Sequence, residues 1–370
     1  MGVWGDIAAE INATTATLGG NVAFACDSVL KKYITQLSQK RNRPLILYAS
    51  KWTQPNPAGP IPPDMVSITD EDLQALMTVM NNMQGTSLDL ILHSPGGSIE
   101  AAEAFVTYLR SKFTDDICVF VPQQAMSAAT MIACAANTIV LGKHSFLGPT
   151  DPQFIFATEL GTRVLTAQNI EEQFERAQKE CADPSKIGAW IPILKQYGPD
   201  VLQKCRNASN LSRSLVAGWL EQYMFKGEAD AHKKAGEIAD WISSHRHFKT
   251  HGRHLSRTEL RSKGMDKIVD LESDPQIQDL VLSIFHATTI TFDRTPAVKL
   301  VENQLGKAFI KLFQHPMMIT PQMMMPQQMN RPQTMPIPMR PAPSHIPAPA
   351  PALPAAPAPP TPANQPPLHP

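Results

Sequence analysis

Between residues 44 and 142, short apolar runs of strand length alternate with segments of helical periodicity. Strands are expected at 44–50, 87–93, 116–122 and 137–142, with helices at 69–83, 98–113 and 128–136. Strands that are joined through helices form right-handed crossovers and pair in parallel. The pattern therefore predicts an α/β fold with a mostly parallel sheet.

The segments on either side of this region differ from it. Residues 1–43 are expected to be helical, and residues 44–314 to form one large domain. That domain should end in a helical extension, with helices at 168–181, 185–206, 211–225, 229–244, 256–263 and 275–313. Residues 315–370 hold 19 prolines and 8 methionines, with no glycine and no acidic residue. This composition predicts a disordered tail, which a proline-recognising partner could bind.

Charge and cysteine content exclude several classes of protein. The chain has 33 basic and 33 acidic side chains, so it has no basic excess with which to bind nucleic acid. Its five cysteines lack CxxC spacing, which argues against a zinc ribbon or a disulfide framework, and we expect no metal and no cofactor. The first ten residues do not resemble a signal peptide, and no apolar run is long enough to cross a membrane. A cytoplasmic location is expected.

Two turns in this region contain residues suited to chemistry. HSPGGS (93–98) follows a strand and precedes a helix, and Gly96 and Gly97 allow backbone N–H groups to approach a ligand closely. In AMSAATM, Ser127 likewise lies between the end of a predicted strand and the start of a predicted helix, and Ala128 follows it. The first turn is either a plain strand–helix connection or part of an oxyanion hole. Ser127 is either a helix cap or a nucleophile.

A third turn, GPTDPQ (148–153), holds Asp151 between two prolines. Alone it is only a turn. However, the three turns recur in order at the ends of successive strands, and their combination is more specific than any one of them.

Together, LDLILHSPGGSIEAAEAF, AMSAATMIACAANTIVL and GPTDPQ resemble the Clp/crotonase superfold of serine peptidases. The best match is its SDH (serine dehydrogenase proteinase) branch, which is related to ClpP and to signal peptide peptidase SppA, over roughly residues 40–300. The resemblance implies a ββα spiral with a mostly parallel sheet and a homo-oligomeric assembly. It also implies Ser127 as the nucleophile, Asp151 as the acid, and an oxyanion hole at Gly96, Gly97 and Ala128.

The general base is the least determined position. ClpP has the chain order Ser, His, Asp, whereas the SDH branch has Ser, Asp, His; in this chain the resemblance places the base at His251. Other histidines remain open, namely His144, His245, His247 and His254. SppA relatives use a lysine that burial keeps neutral, so Lys143, Lys179 and Lys186 are rivals as well.

The resemblance implies a serine endopeptidase that hydrolyses peptide or protein substrates through an acyl-enzyme. Two alternatives belong to other classes. A crotonase-like acyl-CoA enzyme would share the oxyanion turn but would not need a hydroxyl at residue 127. A non-catalytic scaffold would keep the fold and recruit partners through its proline-rich tail.

Overall fold

The structure, a computed structural model, describes residues 2–57, 59–158 and 161–313. The predicted tail, 315–370, lies outside these residues. The helices are α1 (Trp4–Thr17), α2 (Val22–Arg41), α3 (Pro63–Val66), α4 (Asp72–Met80), α5 (Ile99–Lys112), α6 (Ala128–Cys134), α7 (Ala167–Glu180), α8 (Pro184–Leu194), α9 (Val201–Trp219), α10 (Ala231–Ile242), α11 (His245–Phe248), α12 (Arg257–Ser262) and α13 (Pro275–Arg294). The strands are β1 (Leu45–Ser50), β2 (Ser87–His93), β3 (Asp116–Val121), β4 (Gln124–Ala125), β5 (Thr138–Leu141), β6 (Phe146–Leu147), β7 (Gln153–Thr158), β8 (Gly161–Thr166), β9 (Leu255–Ser256), β10 (Ile268–Asp270), β11 (Ala297–Asn303) and β12 (Ala308–Leu312).

The largest sheet has seven strands in the order β10-β5-β3-β2-β1-β11-β12. The pairs from β10 to β1 are all parallel, and the two pairs that involve β11 are antiparallel. The predicted α/β class with a mostly parallel sheet is therefore confirmed. Of the smaller sheets, one joins β4, β6 and β9, and the other is the β7–β8 hairpin.

The central strands of the seven-stranded sheet, β1, β2, β3, β5 and β11, are buried on both faces almost throughout, as expected for strands covered by helices. Successive side chains of a strand point to opposite faces, so Leu90 enters one apolar cluster and its neighbour Ile91 enters the other. The first cluster includes residues of α4, α5, α6, α9 and α10, and the second includes residues of α1, α2 and α13. The amino-terminal helices are thus part of the same core as the sheet.

The expectation of one helix over 275–313 is wrong. Helix α13 ends at Arg294, and Pro296, which has no N–H to donate, follows two residues later. The next segment, AVKLVEN, forms β11 between β1 and β12, and all seven of its residues are buried. The extension is therefore helical only in part, because it supplies strands β10, β11 and β12 to the main sheet.

The predicted helix 185–206 is also wrong in its bounds. It is two helices, α8 and α9, separated by the Gly198–Pro199 pair, and α9 continues to Trp219 through the predicted gap at 207–210. A proline cannot donate the N–H that a continuous helix needs, which accounts for the break.

A buried charge cluster fixes α4 against β11. The Lys299 Nζ lies 2.8 and 3.0 Å from the two Asp72 carboxylate oxygens, and both residues are at most 2% exposed. Tyr48 Oη donates to the same carboxylate at 3.0 Å, and the Thr69 N–H donates to it at 2.8 Å. This last bond is one half of the Thr69–Asp72 capping box that the sequence suggests, since the Thr69 hydroxyl has no partner among the described residues.

None of the five cysteines, all of which are described, is part of a disulfide. No helix in the described ranges is both long enough and apolar enough to cross a membrane.

Candidate active site

Three two-residue strands bring distant loops to one place. Ala125 of β4 pairs in parallel with Leu147 of β6, and Leu147 pairs antiparallel with Leu255 of β9. Ser127 follows β4 by two residues, and Asp151 follows β6 by four. Because β9 runs in the opposite direction, His251, four residues before it, lies at the same end of this small sheet. The pairing thus gathers the predicted nucleophile, acid and base.

The SPGG turn is joined to the same edge. Ser94 forms a parallel bridge with Ala125, in which the Ser94 N–H donates to Gln124 O and the Met126 N–H donates to Ser94 O. The turn then packs against Ser127: a Cβ added at Gly96 would lie 2.7 Å from Ser127 Cβ and 2.9 Å from Ala128 N. Gly96 has φ +99°, which a larger residue would rarely adopt. Glycine is therefore required at this position both for conformation and for space.

Ser127 does not cap its helix. Its side chain makes no capping hydrogen bond to α6, and its backbone has φ 52° and ψ −120° instead of the extended values of a cap residue. A non-glycine residue in such a conformation costs about 1–3 kcal/mol and persists only when the surrounding structure enforces it. A serine on a sharp strand-to-helix turn presents its hydroxyl outward, as a nucleophile requires. The geometry favours the nucleophile over the helix cap.

The three predicted oxyanion residues are not equivalent. The Gly96 N–H donates to Ser94 Oγ at 3.2 Å, so it is already occupied. Gly97 is held by Ile68, whose N–H donates to Gly96 O and whose carbonyl accepts from Ser98. Among the described residues, no partner accepts the N–H of Gly97 or that of Ala128. These two amides remain as candidate donors beside Ser127.

Asp151 lies between two imidazoles. Its Oδ1 is 2.8 Å from His251 Nδ1, and its Oδ2 is 2.9 Å from His245 Nδ1. Asp151 is 2% exposed, while the side chains of His251 and His245 are 18% and 10% exposed. A carboxylate only accepts, so each Nδ1 is assigned as the donor to Asp151; in a neutral ring with that tautomer, Nε2 has the lone pair. The sequence offered both histidines but gave no sign that they share one carboxylate.

The loop before Asp151 is fixed by Thr130 and Ser212. The Thr130 hydroxyl donates to Ala125 O at 2.7 Å and accepts from the Gly148 N–H at 2.9 Å. Ser212 Oγ donates to Thr150 O at 2.8 Å. Thr130 belongs to α6, so a single hydroxyl connects the helix after Ser127 to the loop that carries Asp151.

The other candidate bases are solvent-facing. Lys143, Lys179 and Lys186 are exposed, and therefore lack the burial that a lysine base requires. The histidines His144, His247 and His254 are exposed too, and the His254 ring stacks on Phe146 at 5.1 Å. In the described part of the chain, none of these six side chains bonds to Asp151, whose imidazole partners are His245 and His251.

His93, directly before the SPGG turn, is a buried neutral ring. It is 2% exposed, and it lies 5.7 Å from the Trp52 ring and 5.1 Å from the Phe285 ring. Burial lowers the pKa of His93 to about 4. This imidazole therefore adds no charge beside the turn at neutral pH. Within the described ranges, no group of three His, Cys, Asp or Glu residues could hold a metal ion.

A serine on a strained turn, a carboxylate–imidazole pair and unpartnered amides at one sheet edge are features that serine hydrolases share. Residues 29–181 match the family described as the ClpP-like SDH-type serine proteinases. The resemblance expected from the sequence is therefore confirmed over that range, which includes Gly97, Ser127 and Asp151 and ends before both histidines.

Two relatives from Methanocaldococcus jannaschii are themselves uncharacterized. The chain is 34% identical to MJ1495 over 166 residues, covering 42% of this chain and 54% of that protein. It is 32% identical to MJ0137 over 122 residues, covering 33% of this chain and 42% of that protein. The chain thus spans about half the length of these relatives.

Solved structures of 1510-N, a membrane-bound stomatin-specific protease, are also similar. A serine-to-alanine variant is 14% identical with a TM-score of 0.31, over 55% of this chain and 74% of that one. A lysine-to-alanine variant in complex with a substrate peptide is 15% identical with the same TM-score, over 55% of this chain and 70% of that one.

Proposed function

We propose that this protein is a serine peptidase that cleaves peptide bonds through an acyl-enzyme. The observation that carries the proposal is the Asp151–His251 pair, which lies at the same end of the small sheet as the strained turn of Ser127. The serine proteinase family match over residues 29–181 supports the same reaction class.

In the proposed mechanism, Ser127 Oγ attacks the scissile carbonyl carbon while His251 Nε2 takes the hydroxyl proton. Asp151 accepts from His251 Nδ1, which keeps Nε2 unprotonated and stabilises the imidazolium that forms. The Gly97 and Ala128 N–H groups hold the oxyanion. The C–N bond then breaks, and His251 gives the proton to the leaving amine. In the second half of the reaction, water attacks the acyl carbon while His251 takes a proton from it; the bond to Ser127 Oγ then breaks and His251 returns the proton to that oxygen.

His251 is proposed as the base in preference to His245 for two reasons. Strand β9, which begins four residues after His251, pairs with β6, the strand that leads to Asp151. His251 is also the more exposed of the two rings, as a group that meets a substrate should be. His245, within α11 and more deeply buried, is proposed to hold the second Asp151 oxygen and so fix the carboxylate in position.

The proposal is tested by labelling with a fluorophosphonate, which reacts only with activated serines. The unmodified chain, Ser127→Ala and the exposed-serine control Ser214→Ala are compared, and the labelled peptide is mapped. We expect labelling at Ser127 that is lost only in Ser127→Ala, with thermal midpoints that stay close together. A folded chain that takes no label and cleaves no peptide from a fluorogenic library would instead point to the scaffold. Label retained in Ser127→Ala would identify a different nucleophile.

A further inference from the structure

A cavity lies on the opposite face of the main sheet from the buried charge cluster of Lys299, Asp72 and Tyr48. It has a volume of about 240 Å³ between α2, α13, β11 and β12. Its walls are mostly apolar, and the larger side chains are those of Leu30, Leu300, Ile310 and Leu312. Ile310 and Leu312 are 45% and 53% exposed, so the cavity opens to solvent along the edge strand β12.

Glu302 is the unusual residue of this cavity. It lies on β11, is 1% exposed, and lines the cavity. Its backbone is paired on both sides, with Leu47 of β1 and Ala308 of β12. Its buried Oε1 has no hydrogen-bond partner among the residues that the structure describes. Buried polar groups are normally satisfied, so such an acceptor requires an explanation.

The charges around Glu302 are unbalanced. Asp27 of α2 also lines the cavity, and its carboxylate is already paired with Lys31 Nζ at 2.8 Å. Thr291 of α13 and Thr295, the residue after that helix, also line the cavity, and their hydroxyls donate to backbone carbonyls. The β12 residues that line it, Ile310 and Leu312, are apolar. Two carboxyl groups thus face a single described cation.

We propose that this cavity binds a short-chain primary alkylammonium ion, with its ammonium group on Glu302 and its hydrocarbon chain against Leu30, Leu300 and Ile310. An ammonium supplies both the positive charge and the N–H donors that the Glu302 carboxylate lacks. The cavity is smaller than the roughly 300–1,000 Å³ of pockets for drug-sized ligands, so the ligand is a short one. This site is independent of the proposed peptidase chemistry.

The titration of Glu302 gives the binding a definite pH dependence. Burial, reinforced by the nearby Asp27 carboxylate, raises the pKa of Glu302 to about 8, against the opposing effect of Lys31. At neutral pH the carboxyl is mostly protonated, and an ammonium ion must displace that proton. Affinity should therefore rise with pH until Glu302 is ionised, while an alkylamine stays protonated up to about pH 10.

The experiment is a calorimetric titration of the full chain with n-butylamine and with 1-butanol, at pH 6.5 and 8.5. For n-butylamine we expect binding about twentyfold tighter at pH 8.5, following the ionised fraction of Glu302. 1-Butanol, which has the same chain but no charge, should bind weakly and without this dependence. Glu302→Gln should remove the pH-dependent gain, while the exposed-residue control Glu237→Gln should bind as the unmodified chain does.

A second measurement needs no variant. The Glu302 carboxyl carbon is followed by NMR across pH in the unmodified chain, where saturating n-butylamine should shift its titration to lower pH. Equal binding of the amine and the alcohol, unchanged amine binding in Glu302→Gln, or a Glu302 titration that the amine does not move would each overturn the proposal.

Discussion

Asp72 and Asp151 are equally buried carboxylates in very different surroundings. Asp72 is surrounded by Lys299, Tyr48 and the Thr69 amide, and Lys299 is as inaccessible as the aspartate itself. Asp151 is bounded by two imidazoles that are partly open to solvent. Burial of a carboxylate therefore does not mark a functional site. The two carboxylates differ in their partners: Asp72 is paired with a fully buried lysine, whereas Asp151 contacts two histidines whose side chains are 10% and 18% exposed.

The largest effect is expected when a histidine that contacts Asp151 is replaced. His251→Ala should lower kcat/KM for a fluorogenic peptide by about 10⁴-fold or more, because no group would then take the proton from Ser127. His245→Ala should cost far less, about tenfold, because it loosens the carboxylate without removing the base. The exposed His232→Ala serves as the control. A larger loss in His245→Ala than in His251→Ala would reverse the two roles.

Exchanging each aspartate for asparagine should separate the two regions. Asp151→Asn is expected to lower kcat by about 10³–10⁴-fold, through loss of the oriented imidazole, with little change in unfolding free energy. Asp72→Asn should lower the unfolding free energy by about 3–5 kcal/mol, since it leaves the buried Lys299 charge without a counter-ion. Folded Asp72→Asn should keep its kcat. Denaturant melts measure the unfolding free energies, and rates normalised to the titrated active-site concentration give kcat. Equal losses of stability and of kcat in the two variants would contradict the distinction.

Glu302 extends the comparison to a buried carboxyl whose Oε1 has no hydrogen-bond partner among the described residues. Its pKa is raised from 4.5 to about 8, so the folded state binds a proton that the unfolded state has lost between those values. The contribution of this group to stability should accordingly fall as pH rises from about 4.5 to 8 and stay constant above that. In Glu302→Gln this part of the pH dependence should vanish. Thermal midpoints of both chains across pH 4.5–9 give the difference, and parallel curves would contradict the expectation.

The smallest expected effect concerns the backbone of Ser127. Because φ 52° and ψ −120° are unfavourable for a side-chain-bearing residue, Ser127→Gly should be more stable than Ser127→Ala by about 1–3 kcal/mol. Both variants lack the hydroxyl and should be inactive. Equal stabilities in guanidinium melts would mean that the turn carries no strain.

Much of this arrangement could be predicted from the sequence because its signals are local. The parallel strands appear as apolar runs, and the SPGG, AMSAAT and GPTDPQ turns directly follow β2, β4 and β6. Each turn needs only its immediate neighbours to be recognised.

The features that could not be predicted depend on distant partners. In AVKLVEN the charges at Lys299 and Glu302 resemble the polar positions of a helix. The buried lysine is satisfied by Asp72 and by the Ser67 carbonyl, both more than 200 residues away. The same holds for His245 and His251, whose common contact with Asp151 exists only after the chain has folded. The hydrophobic periodicity of a short stretch of sequence cannot show which distant residues will pair, so it predicts neither the Lys299–Asp72 pair nor the two histidine contacts of Asp151.

The small sheet of β4, β6 and β9 also has a consequence for the timing of activity. β9 joins β6 across more than a hundred residues, and both histidines lie in the intervening stretch. During synthesis, Ser127 and Asp151 leave the ribosome before His245 and His251 do. In addition, a contact between segments so far apart in the chain is slow to form. Under the proposed mechanism, Ser127 has no general base until the segment that carries His251 has been made and β9 has docked. In the proposed mechanism, the chain order Ser, Asp, His therefore delays activity until the last of the three residues has been made.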